Sequence, residues 1–132
     1  MHPNRIKALV RPALMKWSEK MLGPNHGVRF DFLYSEDLYK QEGIGYFSCA
    51  ACVAVRARFV TFNRDFLELN LIDHFKAVEE VMVHELAHVV AGTGDHRDKT
   101  FTRACVAYGV HPGAILSEHV HCWWRKDVHG PR

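Results

Sequence analysis

Residues 73–96 read DHFKAVEEVMVHELAHVVAGTGDH, and the organisation of the chain follows from this stretch. Phe75, Val78, Val81, Met82, Leu86 and Val89 recur at three- and four-residue intervals, the period that lays apolar side chains along one face of a helix. Asp73 stands where an N-cap belongs and Gly92-Thr93-Gly94 where a helix ends, so the pattern predicts a helix from Asp73 to about Ala91. Inside it lies His84-Glu85-Leu86-Ala87-His88, an HExxH motif. Residues four apart share a helix face with Cβ atoms ~5–6 Å apart, so both imidazoles can reach one ion. Glu85 lies about 100° further round, beside such an ion, where it can take a proton from a bound water whose pKa zinc lowers to ~7.

A zinc site that does chemistry has three protein ligands and a water. The candidates for the third ligand are His96, Asp95, His111 and Glu118. The glycine turn lets the chain fold back and favours His96, eight residues after His88; Glu118, thirty residues downstream, would suit a ligand from a later helix. Met82 is the last methionine, which excludes the metzincins, whose Met-turn needs a later one.

Downstream of the turn, Asp95 and Asp98 can cap a further helix through Phe101, Ala104 and Tyr108, stopped at Gly109. Either carboxylate could instead orient a ligand imidazole; capping is the simpler role. Upstream, Val28, Phe30, Phe32 and Tyr34 alternate with Arg29 and Asp31, as in a half-buried strand. Residues 46–63 are rich in aromatic and β-branched side chains and read as two or three antiparallel strands, the last from Arg58 to Asn63. Ile6, Leu9, Val10, Ala13, Leu14, Trp17 and Met21 give an N-terminal helix over 5–22, which Pro12 should kink or restart near Arg11. The expected architecture is α+β: an N-terminal helix, a small antiparallel β-meander, the HExxH helix and a further helix.

The chain has 132 residues, a length suited to a single domain over 1–132. Hydrophobic residues at 48% and charged residues at 24% exclude a disordered or fibrous chain. Seventeen basic against fifteen acidic residues leave +2, too little to demand a nucleic-acid or membrane partner. Residues 1–7 carry no secretory signal pattern and no apolar run reaches ~18 residues, so neither export nor a membrane span is expected. Cys49, Cys52, Cys105 and Cys122 are then expected as thiols in a reducing cytoplasm, and a monomer is favoured.

From Arg58 to Tyr108 the sequence resembles the SprT-like metallopeptidases, the family that includes the Spartan proteases. The likeness rests on RFVTFN (58–63), an intervening helical stretch, EEVMVHELAHVVAG (79–92) and DHRDKTF (95–101), with His96 followed by Phe101. It implies a zincin-like fold, one Zn2+ per chain on His84, His88 and His96, and Glu85 as catalytic base. Arg97 stands where the family often has glycine, and the paired CxxC motifs of a C-terminal zinc ribbon are absent, so the chain looks like a minimal catalytic domain. The expected partner is a protein or peptide substrate, lying extended along the strand Arg58–Asn63 as on a sheet edge. Tyr108, Tyr46 and His111 are the candidates for oxyanion stabilisation.

Several features stand outside this reading. Cys49 and Cys52 form a lone CxxC without a second pair, and act most simply as small buried hydrophobes. His119, His121 and Cys122, with Cys105, could hold a second zinc. Trp123-Trp124-Arg125-Lys126 could stack on single-stranded DNA but is better explained by packing on the first helix. Arg56, Arg58, Arg64, Arg97, Lys99 and Arg103 could form a basic rim near the cleft. The alternative function is therefore a metal-stabilised module that binds DNA or protein with little turnover.

Overall fold

The computed structural model of the chain describes residues 1–37 and 50–113. Helix α1 runs Pro3–Leu22 and buries Ile6, Val10, Leu14 and Ser18, a stripe at four-residue spacing. His2 caps it, Nδ1 accepting from the Asn4 amide at 3.1 Å. Contrary to the expected break near Arg11, the helix continues through Pro12. Proline removes the donor that would meet the Ala8 carbonyl, but both residues lie on the exposed face, where water can replace the lost bond.

Strands β1 (Arg29–Leu33), β2 (Ala51–Ala54) and β3 (Phe59–Asn63) form one sheet in the order β1-β3-β2. The β2–β3 pair is antiparallel, with Ala51 opposite Phe62 and Ala54 opposite Phe59. It is closed by a turn in which the Arg58 amide donates to the Val55 carbonyl. β1, however, pairs parallel with β3, from Arg29 opposite Phe59 to Leu33 opposite Asn63. The sheet is therefore mixed and not an antiparallel meander. Period-two alternation looks the same in either orientation, and the long connection from β1 to β2 leaves room for a crossover. A second correction follows: β3 is the central strand, hydrogen-bonded on both sides, so the stretch 58–63 cannot receive a peptide along an edge.

The pleat sends Phe30, Phe32, Val60, Phe62, Ala51 and Val53 to one face, where they join Ile6, Val10 and Leu14 of α1 in the main core. Asn63 then turns the chain into α2 (Arg64–Asn70), its side chain accepting from the Asp65 and Phe66 amides. Helix α3 spans Phe75–Ala91. Its N-cap is His74, not Asp73: the His74 amide donates back to Asn70, so α2 runs almost directly into α3. Of residues 77–89 only Glu79 is not buried, far more than the single stripe the periodicity suggested. A helix apolar on most sides is an interior helix. α1 covers it on one side, with Trp17 Nε1 donating to Glu79 Oε2 at 2.7 Å, and α4 (Lys99–Ala107) on another. Phe101, Ala104 and Cys105 of α4 pack with Val83 and Ala87 in a second cluster. Among the described residues no helix is long and apolar enough to cross a membrane.

Gly92 ends α3 at φ 72°, and its amide donates to the carbonyls of His88 and Val89. A Cβ there would meet nothing within 4 Å, so Gly92→Ala probes backbone strain alone. Left-handed alanine costs about 1 kcal/mol, which should lower Tm by roughly 4 °C in a calorimetric scan. An unchanged melting point would show that this conformation is not required.

Candidate metal centre

His84 and His88 lie one turn apart on the buried α3, 1% and 2% exposed. After Gly92 the chain reverses through a loop held by short-range bonds. The Asp95 amide donates to Thr93 Oγ1 at 3.2 Å, and the Arg97 amide to Asp95 Oδ1 at 2.9 Å. Asp98 then caps α4, accepting from the Phe101 amide. This loop lays the exposed His96 against the helix, its Nε2 3.3 Å from His84 Nε2 and 3.2 Å from His88 Nε2. Two nitrogens bound at ~2.05 Å to one tetrahedral zinc stand about 3.3 Å apart, so the spacing fits a shared ion. These three histidines form a group that could hold a metal ion, with all ligand atoms within 4.8 Å of one another.

His88 Nδ1 lies 3.0 Å from the Thr93 carbonyl oxygen. A carbonyl only accepts, so Nδ1 carries the hydrogen and neutral His88 presents a bare Nε2 lone pair to the cluster. Phe101, fully buried, supports all three rings from below. It stacks on His88 at 4.1 Å and 8°, and meets His84 and His96 edge-on at 5.2 and 5.4 Å. Phe101→Leu keeps most of the volume, so stability should fall by less than about 1.5 kcal/mol. The rings lose their flat support, and metal affinity should drop roughly tenfold in a chelator-competition titration. Unchanged affinity would mean that the stack does not position the imidazoles.

Glu85 is 1% exposed, and its Oε1 finds no hydrogen-bond partner among the described residues. Burial pushes its carboxyl well above the usual carboxylate range. It opens with His88 and His96 onto a cleft of about 170 Å³ whose opposite wall is Cys52 and Val53 of β2. Cys52 is thus a half-buried wall of the cleft and not simply a core residue, a position that only the sheet order reveals. Cys105 is buried beneath, its thiol pushed up to about 11 by desolvation and then by the Glu85 charge.

The other candidates fall elsewhere. Asp95 is exposed and accepts from both the Arg97 amide and Nε, which together hold its carboxyl low. His111 is exposed and accepts from the Gly113 amide. The Tyr108 hydroxyl donates to the Lys20 carbonyl at 3.4 Å while its ring meets Trp17 edge-on, both on α1. Within the basic rim, Arg58 donates to the His26 carbonyl, Arg64 pairs with Glu68 and Arg97 with Asp95. Glu118, Tyr46, Cys49, the group His119, His121 and Cys122, and Trp123–Lys126 lie outside the described residues. Thr93 carries no sequence signal because it acts through its main chain; Phe101 is marked in the sequence only as the phenylalanine that follows His96, and its stacking on the imidazoles is a matter of ring geometry.

No family model matches the chain, and no curated protein matches it. Among solved structures it is similar to the crystal structure of the metallopeptidase zymogen of Pyrococcus abyssi abylysin. The TM-score is 0.50 and the identity 20%, over 76% of this chain and 75% of that one. At that identity the likeness is one of fold alone.

Proposed function

We propose that the chain is a zinc metallopeptidase of the SprT-like type, a single cytoplasmic domain that hydrolyses peptide bonds of protein substrates. His84, His88 and His96 hold one Zn2+ and Glu85 is the general base. One observation carries the reading: His96 Nε2 lies 3.3 Å from His84 Nε2 and 3.2 Å from His88 Nε2, and the buried Glu85 opens with His88 and His96 onto one cleft. Zinc in such a site supplies Lewis acidity, polarising a carbonyl and making water a better nucleophile near neutral pH.

The chain's own residues do the rest. The Thr93 carbonyl fixes the His88 tautomer, and Phe101 keeps the three rings apart and upright. Glu85 takes a proton from the attacking water and later delivers it to the leaving amine nitrogen as the C–N bond breaks. Burial raises the proton affinity of Glu85, which suits a carboxylate that must take up a proton. Val81, Val83 and Val89, all buried, limit water around the helix. The peptide would pair with β2, which among the described residues has β3 as its one partner and which walls the cleft.

The test is cleavage of casein by the zinc-loaded chain. Cleavage that stops with chelator and returns with zinc is expected; no cleavage under either condition contradicts the proposal.

A further inference from the structure

The sheet has a second face. With Phe30, Phe32, Val60 and Phe62 turned to the core, the pleat sends Asp31 and Leu33, Phe59 and Thr61, and Cys52 and Ala54 the other way. Asp31, Thr61 and Cys52 stand in register across the three strands and form a row of short side chains. Phe59 rises on one side of this row and Leu33 on the other. Between them lies a groove of about 340 Å³ lined by these residues and Val53. Cys52 and Val53 line the metal-side cleft as well, so β2 is the common wall of the two spaces.

We propose that this groove is the specificity pocket of the cleft and selects substrates carrying a large uncharged apolar side chain, aromatic above all. The inference rests on reading the cleft as peptide-binding. A strand added to the outer edge of β2 turns every second side chain onto this face, with its Cβ ~4.5–5.5 Å from that of Cys52 or Ala54. From there a phenyl ring reaches over Ala54 to the Phe59 ring. A cationic side chain gains less. The Arg29 guanidinium already sits 5.3 Å from the Phe59 ring centre and repels it. Among the described lining residues the one acid, Asp31, is on β1, about 10 Å beyond β2 at two strand spacings, and its Oδ1 already accepts from the Phe32 amide. Arg29 and Asp31 also offset each other's charge, which leaves apolar contact as the distinguishing force.

The experiment uses the full zinc-loaded Glu85→Gln chain and fluorescent decapeptides of Ala, Ser and Gly with one Phe scanned through every position. Fluorescence polarisation should give one position at which Phe binds about tenfold more tightly than Ala. Ala54→Trp, which fills the groove from an exposed position, should bring the two peptides within twofold. Leu33→Ala, which opens the groove from the far strand, should also shrink the ratio and serves if the first variant fails to fold. Equal binding of Phe and Ala at all positions, or a preference that survives both variants, overturns the proposal. Cleavage of the same peptides by the unmutated chain separates the two readings. Preferential binding without cleavage removes the peptidase and leaves the pocket, whereas cleavage without preference removes the pocket and leaves the peptidase.

Discussion

Glu85→Gln is expected to lower kcat/KM on casein by about 10³-fold, within the range that a positioned general base contributes, while zinc per chain stays unchanged. The amide is nearly isosteric with the carboxylate, so the cleft keeps its shape and the three imidazoles keep their places. What disappears is the capacity to take up a proton. Glu85 is buried beside His88 and His96, and its Oε1 has no hydrogen-bond partner among the described residues, so a purely structural role would make it expensive. A neutral amide in that place should leave Tm unchanged or slightly raised. Loss of turnover with retained metal and retained stability is therefore the signature of proton transfer. Retained proteolysis would remove Glu85 from the chemistry, and lost metal would make it a ligand or a support.

Removing the metal should have the largest effect on stability. His96 Nε2 lies 3.3 Å from His84 Nε2 and 3.2 Å from His88 Nε2, a spacing at which one shared cation can tie the loop that carries His96 to the buried helix. With free zinc near a thousand times Kd, binding to the native state alone contributes about 4 kcal/mol. For a chain of this length chelation should then lower Tm by roughly 15 °C. His96→Ala should abolish most of the zinc-dependent difference while disturbing the apo protein little, because His96 is exposed. Protons compete with metal for the imidazole lone pairs, so the zinc-dependent rise should shrink on acidification and be recovered as pH is raised. A melting curve indifferent to chelator at neutral pH would contradict a metal held by these residues.

How much of this the sequence reveals depends on the kind of information involved. The α3 helix was legible because its apolar period, its glycine stop and its i,i+4 histidines are all local. The approach of His96 to His84 and His88 rests on one further local feature, the turn at Gly92-Thr93-Gly94, which favours His96 and leaves Asp95, two residues after Thr93, as a rival. The packed loop separates them: His96 Nε2 reaches both imidazoles of the helix, while the exposed Asp95 bonds to Arg97. The direction of β1 was illegible because Phe30 and Phe32 alternate identically in parallel and antiparallel pairs. That error carried a second one: Arg58–Asn63 looked like an edge until β1 took the far side of β3. The cleft wall at Cys52 depended on the same non-local pairing. Pro12 misled for a different reason, since its cost depends on whether the orphaned carbonyl meets water, and that is a property of the packed helix.

The measurement that bears most directly on the central claim is zinc X-ray absorption on the full chain loaded with one equivalent of metal. The account predicts three imidazole nitrogens and one further light atom at ~2.0 Å, with the outer-shell scattering of the rings. A sulfur shell at ~2.3 Å would contradict it and move the metal to a cysteine-containing site.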